Sequence, residues 1–198
     1  MSVESLMSGL IGALAGGLIT GGFTIYAINR TETFAKSSAA ENEAGLVRSL
    51  LHAIHDELEV VFERYRRHVA PQVEALQPNT PFALFFPVNN DYFTVFNGNA
   101  HLVGKIKDHD LRRSLVRTYV LAKGLVDTFR MNNHMLAELE RAEELAAATG
   151  LESDEKVRRE RYAALCDYGA LIQKDHYEAL SAYEDLFRRL HKNGVLSQ

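Results

Sequence analysis

Leu6 to Ile28 reads LMSGLIGALAGGLITGGFTIYAI, and no charged side chain occurs between Glu4 and Arg30. A helix that crosses a bilayer needs about 20 mostly apolar residues. This run is long enough, and it predicts one N-terminal transmembrane helix ahead of a charged, periodic remainder. The expected organisation is a transmembrane anchor over residues 1–29, a juxtamembrane helical linker over 30–41 and a helical bundle over 42–198. The segment before the run, MSVES, has no Lys or Arg, whereas Arg30, Lys36 and Arg48 follow it. Basic residues stay on the cytoplasmic side of a membrane. The expected topology is therefore single-pass in a cell (inner) membrane, with the N-terminus outside and the large domain cytoplasmic. A cleaved signal peptide is the rival reading, but it calls for a basic leading region and a shorter apolar core.

Small residues recur along the anchor at helical spacing. Gly9, Ala13, Gly17 and Gly21 form one stripe, and Ser8, Gly12, Gly16 and Thr20 form the adjacent one. Such stripes let helix backbones approach closely in lipid, where no hydrophobic force draws helices together. Gly9, Gly12, Ala13, Gly16, Gly17 and Gly21 are the expected self-association surface, and the expected partners are the lipid bilayer and further copies of the chain. The competing account is that Gly and Ala are common filler in bilayer helices.

Beyond the anchor the pattern stays helical. Ala44, Val47, Leu51, Ile54, Leu58, Val61 and Tyr65 are spaced alternately three and four apart, a heptad seam. Leu50, Phe62 and Val69 broaden it, so the helix is expected to pack on more than one neighbour and to end near Pro71. A second helix is expected from an Asp108 N-cap to about Thr149, stopped by Gly150, with Leu111, Leu115, Ala122, Leu125, Phe129, Leu136 and Leu139 on its stripe. Asn132 and Asn133 fall where that stripe predicts core, as a buried register device or a solvent-facing kink. A third helix is expected from a Ser153 cap, with Leu165, Tyr168, Ile172, Ala179, Tyr183, Leu186 and Leu190 inward and Asp175 and His176 interrupting that face. The fold class is all-α: about three long helices in an antiparallel bundle joined by short connections.

Between the first two helices lies a different stretch. After QPNTP come Phe82, Phe85, Phe86, Tyr92, Phe93 and Phe96, six aromatics in fifteen residues, followed by the Asn97-Gly98 turn signal. A short helix or an irregular hairpin suits it better than a sheet. The aromatics are expected either to plug the end of the bundle or to form a partner or ligand surface.

Signals for chemistry are weak. The 198 residues carry a net charge of −4, which offers no bulk basic surface for nucleic acid. The single cysteine, Cys166, rules out an intramolecular disulfide within the chain, fits a reducing compartment and is expected to act as a small buried hydrophobe. The sequence has no P-loop, no G-x-S-x-G, no HExxH, no Glu-x-x-His pair and no zinc-ligand spacing. His52, His55, Asp56 and Glu59 lie within two helical turns and read more simply as a solvated face than as a metal site. Arg64, Arg66 and Arg67, close to Glu57, Glu59 and Glu63, read as salt-bridged helix faces. No catalytic residue, metal or cofactor is expected.

The run FFPVNNDYFTVFNGNAHLVGKIKDHDLRRSLVRTYVLAKGLVDTF, Phe85 to Phe129, resembles a segment of a loosely defined, functionally uncharacterised group of small bacterial proteins. In them an aromatic-Pro stretch, an Asn-containing turn, a Leu-x-Gly-x-Ile-like step and a helix with a Tyr before an apolar stripe occur in this order. The resemblance implies an N-terminal membrane helix and a helical cytoplasmic domain, and no activity. The leading expectation is a non-enzymatic, membrane-anchored scaffold or partner-binding protein, its protein partner unknown. The alternative is a membrane effector, pore-forming or bilayer-disrupting, that serves a defence or toxin system and is gated by the cytoplasmic domain. A third reading is a ligand sensor or bundle enzyme built on the aromatic connector.

Overall fold

The structure, a computed structural model, describes residues 3–88 and 92–195, with side chains from Phe23 onward except Ile25. Among the described residues six helices follow in order: α1 Val3–His68, α2 Ala70–Glu74, α3 Thr94–Gly98, α4 Ala100–Val103, α5 His109–Thr149 and α6 Glu152–Lys192. The chain divides into two compact units at Leu46/Val47. In the first unit α1 continues without a break, and its described side chains, Phe23, Tyr26, Ile28 and Phe34 among them, are exposed. The anchor stripe of Gly9, Gly12, Ala13, Gly16, Gly17 and Gly21 lies outside the described side chains, as does most of the apolar run. Among the described residues no helix is long and apolar enough to cross a membrane.

The second unit is the bundle. Leu51, Ile54, Leu58 and Tyr65 of α1 are buried together with Leu50, Phe62 and Val69, so the helix does present a broad face. It stops at His68, Val69 leaves helical geometry, and Pro71 lies in the first turn of the short α2, where a missing N–H costs nothing. Asp108 caps α5 by accepting from the amides of Asp110 and Leu111, and Gly150 at φ +64° ends it. At the start of α6 the expectation fails. The capping position is Leu151, and Ser153 lies inside the first turn with its hydroxyl on Asp154.

The directions of the helices also differ from the expectation. Ser114 pairs with Asp185, Thr118 with Ala182, Thr128 with Asp175 and Glu138 with Arg161, so α5 and α6 are antiparallel. Arg48 meets Gly194, Phe62 stacks on Tyr183 and Tyr65 meets His176, so α1 and α6 are antiparallel too. The bundle segment of α1 and the first part of α5 therefore run parallel. Parallel neighbours cannot be joined by a tight turn, so the chain must travel back along the bundle before α5 begins. The segment from Ala75 to Asp108 makes that return. It is not a short connection.

The segment holds no strand among the described residues, only α3 and α4. Its first residues pack on α6, where Gln173 reaches the Leu76 carbonyl, and from Phe82 onward it is held by side chains of α5 and α1. Beyond it, α5 and α6 extend as a two-helix hairpin, with Leu139, Ala142 and Leu165 buried between them.

Candidate functional site

A non-helical segment packed in a core must find partners for its backbone amides and carbonyls. Here side chains of the long helices supply them. From α5, Asn132 Nδ2 donates to the carbonyls of Phe82 and Leu84, each at 3.2 Å. Its neighbour Asn133 accepts from the Phe86 amide at 3.0 Å and donates to the Phe86 carbonyl at 2.5 Å. From α6, Gln173 donates to the carbonyls of Val73 and Leu76, both at 3.0 Å. From α1, Glu57 accepts from the Val95 amide at 2.8 Å and lies 3.4 Å from the Phe96 amide. A carboxylate at the start of α3 satisfies amides that have no helical acceptor. Glu57 also accepts from the Tyr119 hydroxyl at 2.8 Å, so it ties three elements together rather than joining a salt-bridged face.

Two rings of α5 act as posts for the aromatics. Phe96 stacks on Tyr119 with centroids 4.0 Å apart, and Phe93 meets the same ring edge-on at 5.4 Å. Phe82 and Phe86 tilt against Phe129 at 5.8 and 5.3 Å. Offset and edge-on ring pairs add about 0.5–1.5 kcal/mol beyond the area they bury. Phe93 holds φ at +67°, a left-handed backbone that a bulky side chain rarely adopts, and its burial on Tyr119 holds it there. The six aromatics split by burial. Phe82 and Phe93 are core; Phe86, Tyr92 and Phe96 are half-buried; Phe85 is 66% exposed.

The packing leaves a cavity of about 590 Å³ between α1, α5 and the connector. Its walls are Phe62 of α1 and Val69 just after it, Leu125 and Phe129 of α5, and Leu84 and Phe86 of the connector. Phe85, Pro87 and Tyr92 line it on the connector side, and Val60, Arg64 and His68 line it on α1 at four-residue spacing. Phe96, which the sequence groups with these aromatics, does not line it.

Behind one wall lies a buried polar pair. His176 is fully buried on α6, and its Nδ1 lies 2.7 Å from the Tyr65 hydroxyl. Its Nε2 faces the Glu74 carboxylate at 3.3 Å without a formed hydrogen bond. Burial pushes the imidazole below its ordinary value of 6.5, against the opposing pull of Glu74. Burial, with a smaller contribution from Glu74, pushes the Tyr65 hydroxyl well above the tyrosine range. Burial and then Glu57 do the same to Tyr119. Both phenols therefore stay protonated: Tyr119 donates to Glu57, and Tyr65 shares a hydrogen bond with His176 Nδ1.

His55, Asp56 and Glu59 place one ligand atom each within 4.8 Å of one another on α1. One Asp56 oxygen lies 3.0 Å from His55 Nδ1, and the two carboxylates are exposed. The group lies outside the cavity lining. Cys166 is half-buried.

The fold and the site together define a three-helix bundle with a returning connector and an apolar cavity on that flank. No family model, curated protein or solved structure matches the chain.

Proposed function

We propose that this chain is a non-enzymatic, membrane-anchored binding protein. It self-associates through its Gly-rich anchor and binds through the cavity on the connector flank of its bundle. The observation that carries the reading is the cavity: about 590 Å³, apolar-walled, with Phe85 and Val60 each 66% exposed at its edge. Small-molecule sites are concave, mostly apolar and about 300–1,000 Å³. The apolar run from Leu6 to Ile28 supports the anchor, and Arg30, Lys36 and Arg48 support a cytoplasmic bundle. The resemblance of Phe85–Phe129 to small bacterial proteins with a membrane helix supports the same placement.

Native mass spectrometry of the full chain, extracted gently from its membrane, tests the binding reading. The chain is expected to carry an adduct that is lost when Val126→Phe fills the cavity. An adduct retained by that variant, or a bare chain from both, contradicts it. Expression that collapses the membrane potential would favour a pore-forming effector instead; a binding protein leaves the potential unchanged.

A further inference from the structure

Adjacent arginines of α1 are used differently. Arg66 pairs with Glu184 at 2.9 Å, and Arg67 pairs with Glu63 at 2.5 Å. Arg64 lines the cavity, is exposed and has no carboxylate partner among the described residues. Val60, Arg64 and His68 follow one another at four-residue spacing, so they form one ridge of α1 along the cavity mouth. No Asp or Glu lines the cavity among the described residues. Polar groups are few in the lining: of its buried residues only Tyr65 carries a hydroxyl among the described residues, and His176 engages it at 2.7 Å, while Tyr92 is half-buried and Gln72 exposed.

These facts restrict the occupant. A ligand with polar atoms along its body would find few partners for them among the buried walls, at about 1–3 kcal/mol for each left unpaired. A cationic head would meet Arg64. An apolar body fits the walls, and an anionic head suits an unpaired guanidinium, whose planar fork matches a carboxylate. Resting on the reading of this cavity as the binding element, we infer that it takes a single-chain fatty-acyl carboxylate. The chain lies between Phe62, Leu125 and Phe129, and the carboxylate lies at the mouth on Arg64, with His68 one turn further along.

The test uses the full chain in phosphatidylcholine nanodiscs with a diazirine-bearing dodecanoate as photoprobe and peptide mapping of the label. Label is expected on residues 84–87 and 122–129. Dodecanoate is expected to compete at about fivefold lower concentration than dodecanol, the scale of one exposed ion pair, and dodecyltrimethylammonium is expected to compete least. Arg64→Gln, a change at an exposed position, should erase the gap between dodecanoate and dodecanol, and Arg64→Lys should restore part of it. Cavity label displaced equally by all three competitors overturns the carboxylate preference while leaving the binding element standing. Label confined to residues 3–46 overturns both.

Discussion

The two sides of the bundle are packed by different means. Between α5 and α6 the contacts are small and close. Thr118 Oγ1 reaches the Ala182 backbone carbonyl at 3.0 Å, and the small residues Ala122 of α5 and Ala179 and Ala182 of α6 are buried. On the connector flank the contacts are rings and amide side chains. Tyr119 and Phe129 hold the aromatics, and Asn132, Asn133 and Glu57 hold the backbone. Two regular helices can interlock ridge into groove and leave little void. A non-helical segment has no such periodic surface, so it is fastened at points and leaves space between them. That space is the cavity, and the comparison teaches that the irregular connector is what creates it.

The largest expected effect separates fastening from rim within the connector itself. Phe93→Ala removes a 3% exposed ring from Tyr119 and should cost about 3–5 kcal/mol. Phe85→Ala removes a 66% exposed ring and should change stability by about 0.5 kcal/mol or less. Chemical denaturation of both variants measures the contrast, and equal losses would break the division into post-held and rim aromatics.

Asn132→Ala comes next. It strips one buried and one part-buried carbonyl of their donor, at an expected cost of about 1–3 kcal/mol. Hydrogen exchange should speed up over residues 82–106 and stay slow along the α5–α6 seam. Faster exchange in both regions would mean that the two sides are one cooperative unit.

A smaller effect follows acidification. The folded state holds His176 below its ordinary value of 6.5, chiefly through burial. Between the lowered value and 6.5 the unfolded chain binds more protons, so stability from this group is complete above about 6.5 and falls as the pH drops below it. His176→Gln should flatten the acid limb of the stability curve. An unchanged acid limb would remove His176 from the account.

Much of the helical frame was legible in the sequence. The α1 seam, the Asp108 cap and the Gly150 stop are local patterns, and each carries its signal within a few residues. The connector's fastenings are not local. Asn132 meets Phe82 and Leu84 about fifty positions away, and Glu57 meets Val95 across nearly forty. One amide in an apolar stripe looks the same whether it bonds a partner helix, a kink or a passing strand. The parallel course of α1 and α5 was hidden for a related reason, since periodicity identifies a helix face without giving its direction. Gly169 shows the same limit. A Cβ there would lie 2.9 Å from the Thr80 carbonyl, a close approach with no mark in the helical pattern.

Xenon binding tests most directly whether the connector flank holds a cavity that the helical seam lacks. Empty apolar cavities take up xenon, and close-packed cores do not. In the full chain, with methyl-labelled Val, Leu and Ile in nanodiscs, the methyl signals of Val61, Leu84, Leu125 and Val126 should shift with xenon pressure. Those of Leu165, Ile172 and Leu186, all fully buried away from the cavity lining, should stay fixed. Shifts spread evenly over both groups, or absent from the first, would contradict the account.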